Sequence, residues 1–152
     1  MNADEAMGQL GHKLGFELKL DHRRVCAVMF DDTLTVEFEA PTSLADVLVM
    51  TCKVAGSVHA DQREATYALL LQANLFGRGT AGAVLAVDST REEIVLQRAL
   101  RLDQTDLQDL LNALESLLQY GRAWVERMQA VSSPLTRRDE GSLSAYAAML
   151  RV

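Results

Sequence analysis

Few residues in this sequence have the types and spacing for chemistry, and their context argues against most of it. Gly77, Gly79 and Gly82 form a G-x-G-x-x-G string, the spacing of a loop that cradles a pyrophosphate. Such a loop follows a strand and opens a helix, whose N-terminus then faces the phosphates. Here a helical pattern precedes the glycines and a strand pattern follows them, so a helix stop running into a hairpin explains them as well. The histidines, His12, His22 and His59, show neither i, i+4 pairing nor a His-Glu-x-x-His motif. His22 and Cys26 lie four apart, but the positions between them run into a strand and no second ligand pair completes a metal site. Cys26 and Cys52 fall in apolar strand patterns as small core residues, with no identifiable base beside either. Asp31-Asp32 sits between two strands, where adjacent carboxylates read as a solvated turn. There is no G-x-S-x-G elbow and no Walker-type G-K-[ST]. No catalytic residue, metal or cofactor is expected, and a binding protein remains.

Composition narrows the partner. The chain has 152 residues, 49% of them apolar and 24% charged, with 2 prolines and a net charge of −6. That is an ordinary globular composition with one domain's worth of chain. The acidic balance, with no basic patch in any segment, disfavours nucleic acid and anionic membrane surfaces. No apolar run approaches the roughly 18 residues of a membrane span. The opening residues lack the basic region and apolar run of a signal peptide, so the expected location is the cytosol. Two cysteines are too few for a disulfide framework.

The elements follow from hydrophobic periodicity. Residues 4–16 read as a short amphipathic helix on Met7, Leu10 and Leu14, in which Gly8, Gly11 and Gly15 each cost about 1 kcal/mol relative to alanine. Residues 24–30 are almost continuously apolar, Asp31-Asp32 turns the chain, and residues 33–39 alternate cleanly, with Leu34, Val36 and Phe38 on one face. A third strand within 44–54 carries Leu48, Met50, Cys52 and Val54. Residues 61–76 read as a helix, with Asp61 as N-cap, Glu64 completing a capping box and Gly77 as the stop. Leu69, Leu70 and Leu71 are consecutive, so their directions span about 200° of that helix. A helix buried on one side needs only a stripe, so this one calls for a second partner. Residues 83–88 and 93–102 form a second hairpin, with Arg98 alone interrupting its apolar face. The strongest periodicity runs from 104 to 130, Leu107 through Trp124 and Met128. The order is α-β-β-β-α-β-β-α, an α+β fold of an antiparallel sheet backed by helices, over a single domain 1–131. A tail, 132–152, shows a weak helical pattern at 142–151.

This order and several local strings resemble the class I chaperones of bacterial type III secretion systems, the Tir-chaperone type. Leu10-Gly-His-Lys-Leu14-Gly15-Phe16 is similar to that family's first helix and its glycine exit. Leu18-Lys-Leu20-Asp21, through Cys26-Ala-Val28 to Phe38, is similar to its opening strands. Leu70-Leu71-Gln-Ala73-Asn74-Leu75-Phe76-Gly77, followed by Thr80-Ala-Gly82-Ala-Val-Leu85-Ala-Val87-Asp88, resembles its most recognisable segment. Leu96 to Leu102, then Asp103 to Trp124, fit its last strand and closing helix.

The resemblance implies a homodimer that binds the N-terminal region of a secreted effector in extended form, without hydrolysing ATP, with the secretion-apparatus ATPase as a candidate further contact. The dimer contact it implies, the second helix and fourth strand, coincides with the doubly apolar 61–76 helix. For that contact the expected residues are Leu69, Leu71, Leu75, Phe76, Val84 and Leu85. For cargo they are Leu10, Leu14, Phe30, Leu34, Val36 and Leu48, each equally well placed in a core. A small adaptor domain that binds a folded partner on a similar scaffold is the alternative.

Overall fold

The computed structural model describes residues 1–132; the helical pattern expected at 142–151 lies outside them. The first helix, α1, runs Ala3–Leu14. Asn2 accepts from the Glu5 amide at 2.9 Å and Glu5 accepts in return from the Asn2 amide at 3.0 Å, which satisfies two donors that a helix start leaves open. Gly15, at φ 83°, ends it.

Three strands follow: β1 (Val25–Phe30), β2 (Leu34–Glu39) and β3 (Val47–Ala55). Asp31 and Asp32 join the first two, both at positive φ, which is the backbone a tight hairpin turn requires. Helix α2 covers Arg63–Asn74, and a 3-10 turn, Leu75–Gly77, extends it. Its N-cap is Gln62, without a side-chain cap bond, so the capping box expected at Asp61 and Glu64 does not form. The hairpin β4 (Val84–Asp88) and β5 (Glu93–Arg101) leads to α3 (Leu107–Ser132). That helix begins three residues later than its periodicity indicates. Asp106 accepts from the Asp109 amide at 2.8 Å and caps its start.

The strands form one antiparallel sheet in the order β1-β2-β3-β5-β4, which bears out the predicted α+β order. Register sets its two faces. Val28, Val36, Cys52, Leu96 and Leu85 are aligned across all five strands, and all but the half-buried Val28 are buried. With Phe38, Leu48, Met50 and Ile94, and with Met7, Leu10, Leu110, Leu117 and Trp124 of the helices, they make the core. Gly121 lets α3 approach closely, since a Cβ there would lie 2.8 Å from Leu34 Cδ2 and 2.9 Å from Cys52 Sγ. The opposite face carries Glu37, Thr51, Lys53, Gln97 and Arg91, linked by ion pairs from Arg91 to Glu37 and from Lys53 to Glu93.

Candidate functional site

Burial sorts the expected contact residues. Leu10, Val36 and Leu48 are fully buried and Leu34 nearly so. They are corrected to core: Leu34, Val36 and Leu48 point from the sheet toward the helices of the same chain, Leu10 joins that cluster from α1, and in the single chain none of them is exposed. Leu14 and Phe30 are half-buried. Sequence reasoning missed the exposed apolar neighbours Phe16 and Met29. Met29 sits on the face of β1 that the helices do not cover, and only the register reveals this.

The second surface keeps more of its expected residues. Leu71, Leu75, Phe76 and Val84 are 71%, 57%, 83% and 52% exposed. Leu69 is half-buried, whereas Leu85 is buried, because it shares the row of Leu96 and Cys52 and so points into the core. On α2 only Thr66 and Leu70 are buried. Leu71 and Leu75 lie four apart and share a face that no part of residues 1–132 covers. Exposed apolar side chains grouped in this way are characteristic of surfaces that bind other proteins.

Phe76 is held in an unusual way. Its φ is 56°, a conformation costing a bulky side chain of order 1–3 kcal/mol and persisting where surroundings enforce it. Three side chains fix the chain on either side of it. Asn74 pairs with Leu85 of β4, Trp124 bonds to the Gly79 carbonyl, and Arg98 donates to the Ala81 carbonyl at 3.2 Å. The charge that interrupts the apolar face of β5 therefore anchors the loop 77–82. Arg78 stacks its guanidinium 5.6 Å from the Phe76 ring centroid.

The glycines of that loop do not make a phosphate cradle. Amides that would face an anion are spent internally: Gly79 to the Ala73 carbonyl, Thr80 and Ala81 to that of Gly77, Ala83 to that of Thr80. The loop also stands at the C-terminal, partially negative end of a helix, which disfavours an anion. The other chemical candidates sit apart. His12, His22 and His59 are exposed, and among the described residues no group of three or more His, Cys, Asp or Glu could hold a metal ion. Burial pushes the Cys52 thiol up to about 11. Asp31 forms an ion pair with Arg122, so that carboxylate fastens the first hairpin to α3. No described helix is long and apolar enough to cross a membrane.

The two sheet edges complete the geometry. On β1, Val25 has both outward backbone groups taken: its N–H donates to Asp21 Oδ1 and its carbonyl accepts from the Asp21 amide, each at 2.9 Å. The Val25 bond, ahead of Arg23 and His22 nearby, holds the Asp21 carboxyl below the usual carboxylate range. Ala27 and Met29 are the next outward-facing residues, because antiparallel pairing alternates. Among the described residues their outward N–H and C=O groups meet no partner.

Comparison with known proteins agrees with this architecture. The sequence profile of the Tir chaperone protein (CesT) family matches residues 5–125. No curated protein matches the chain. Among solved structures, one similar chain comes from the ExsC–ExsE complex, at 17% identity and a TM-score of 0.66, covering 83% of this chain and 96% of that one. Another is from the heterodimeric ExoU–SpcU complex of the Pseudomonas aeruginosa type III secretion system, at 18% identity and a TM-score of 0.63, covering 82% and 95%. A third, from the Pseudomonas aeruginosa ExoT–SpcS complex, has 22% identity and a TM-score of 0.58, covering 81% and 98%. At these identities the likeness is one of fold.

Proposed function

This chain belongs to the Tir chaperone protein (CesT) family, and we propose that it is a type III secretion chaperone. It binds the N-terminal chaperone-binding region of one or more secreted effectors in extended form, keeping them soluble and competent for export. The family profile spanning residues 5–125 carries this reading. It is a binding protein of the bacterial cytoplasm rather than an enzyme, and the secretion-apparatus ATPase is a further partner of the loaded complex.

The geometry supplies the physical means. An extended segment can bond its backbone to an open sheet edge while alternate side chains enter apolar surroundings. The β1 edge at Ala27 and Met29, flanked by the exposed Met29 and half-buried Phe30 side chains, suits that role. Leu14 and Phe16 add apolar surface at the end of α1. Ordering a disordered segment costs about 2–5 kcal/mol or more, so the contact must extend along the protein beyond one strand.

The chaperone works as a homodimer. Leu71, Leu75, Phe76 and Val84 meet their counterparts in a second copy, and Leu69 supports them from beneath. A second copy fits because these side chains continue along one surface from α2 through the 3-10 turn to β4, and a twofold contact needs such a self-complementary patch.

Co-expression with the N-terminal segment of a candidate effector tests the proposal. The segment should co-purify with the chain, resist protease only in the complex, and show no folded structure when isolated. A partner that binds as a native folded domain would instead establish the adaptor reading.

A further inference from the structure

The far edge of the sheet carries a device that the chaperone reading does not use. β4 has β5 on one side only, so alternate residues turn their N–H and C=O outward. Leu85 is one of them, and both its groups are occupied. Its amide donates to Asn74 Oδ1 at 2.8 Å and its carbonyl accepts from Asn74 Nδ2 at 3.0 Å. A neighbouring strand makes the same two-bond pattern to an outward residue. The carboxamide of Asn74, the last residue of α2, stands where that strand would lie. Aspartate in its place would accept but not donate. Of the five residues of β4, only Leu85 and Val87 turn their backbone groups outward, and with Leu85 taken Val87 alone is left, too short a run for another strand to pair. The opposite edge is treated differently: Asp21 fills the Val25 position with the same two-bond pattern, and Ala27 and Met29 stay open.

We infer that Asn74 and Asp21 are edge plugs that confine strand addition on this sheet to the backbone of Ala27 and Met29. Asn74 closes β4, so two copies meet there through side chains and the sheet does not run on from one to the other. Asp21 sets where an added strand must begin on β1. An unprotected edge is a template for pairing with any extended chain, a hazard for a protein whose partner is an extended chain. The inference rests on the chaperone reading only for the identity of the strand that arrives at β1.

Amide hydrogen exchange and light scattering on the full chain, with no cargo present, test it. In the wild type the Leu85 amide should exchange at least about tenfold more slowly than those of Ala27 and Met29. Repeating the comparison in Leu71→Asp separates this protection from any given by a second copy. In Asn74→Leu the Leu85 amide should speed up by about tenfold, and the chain should assemble beyond the wild-type mass as concentration rises. Asn74→Asp should keep the Leu85 amide slow, because the acceptor survives, while its bare carbonyl still promotes assembly. Should Asn74→Leu fail to fold by circular dichroism, the wild-type contrast and Asn74→Asp decide. Equal exchange at Leu85, Ala27 and Met29 overturns the inference, as does a folded Asn74→Leu with unchanged Leu85 exchange and mass. Because no effector enters either measurement, these failures are distinct from failure to capture cargo.

Discussion

The indole N–H of Trp124 in α3 donates to the carbonyl of Gly79 at 2.9 Å, tying the closing helix to the loop that follows α2. Gly79 is glycine because a Cβ there would lie 2.9 Å from Ala73 Cβ and 3.1 Å from the Ala73 carbonyl oxygen, too close for any side chain. The Arg127 guanidinium lies over the indole ring, 5.0 Å from its centroid. The loop is therefore locked between α2 and α3, and its glycines serve packing.

That lock makes Trp124, the chain's one tryptophan, a reporter on the loop. Titration with ATP or NAD should leave its emission unchanged, because the amides of residues 78–81 are already bonded to carbonyls of the chain. A saturable change in fluorescence would restore the nucleotide reading of the glycine string.

Leu71→Asp should split the proposed dimer without unfolding the chain. The side chain is 71% exposed in the single subunit, so stability should change by no more than about 0.5 kcal/mol. An aspartate buried at the contact between copies would be desolvated without a partner. Light scattering should then report the single-chain mass of 16.7 kDa; a persistent dimer would place the contact elsewhere.

Val36→Asp and Ala27→Pro should behave oppositely. Val36 is 0% exposed, and a carboxylate there should cost roughly 4 kcal/mol or more, unfolding the domain or sharply lowering its urea midpoint. Proline at Ala27 removes an outward N–H from an edge strand, a place where proline is tolerated. It should leave the urea midpoint nearly unchanged and weaken effector-segment binding by about tenfold, measured by calorimetry.

Cys52 should show itself at alkaline pH. Burial raises its thiol from 9.0 to about 11, so the folded value lies above the unfolded one. The stability this contributes is fully present below pH 9.0 and is lost as the pH rises through about 11. The urea midpoint of the wild type should therefore fall over that window more than that of Cys52→Val. At about pH 8, iodoacetamide should label the half-buried Cys26 well before Cys52.

Two glycines of α1 should respond with opposite signs. A Cβ at Gly8 meets nothing within 4 Å, so Gly8→Ala should stabilise the helix by about 1 kcal/mol. At Gly11 a Cβ would lie 2.7 Å from the Phe16 carbonyl oxygen and 2.9 Å from the Leu18 amide nitrogen. Backbone cannot yield as a side-chain tip can, so Gly11→Ala should cost about 1–3 kcal/mol, read from urea unfolding.

Local chemistry was legible without coordinates. The alternation in 33–39, the turn at Asp31-Asp32 and the leucine repeat leading to Trp124 are properties of neighbouring residues, and they determined the α-β-β-β-α-β-β-α order. The crowding of Leu69, Leu70 and Leu71 on α2 likewise pointed to surface left over after one core is built. What the sequence could not determine is which apolar face meets the chain itself. Val36 and Met29 are both apolar strand residues, and only the cross-strand register and the position of α3 bury the first and expose the second. The plugs at Asn74 and Asp21, and the arginine at Arg98 that holds a loop, were hidden for the same reason. A polar side chain bonds whatever backbone the fold brings within 3 Å or so, and that neighbour is decided by packing between elements far apart in the chain.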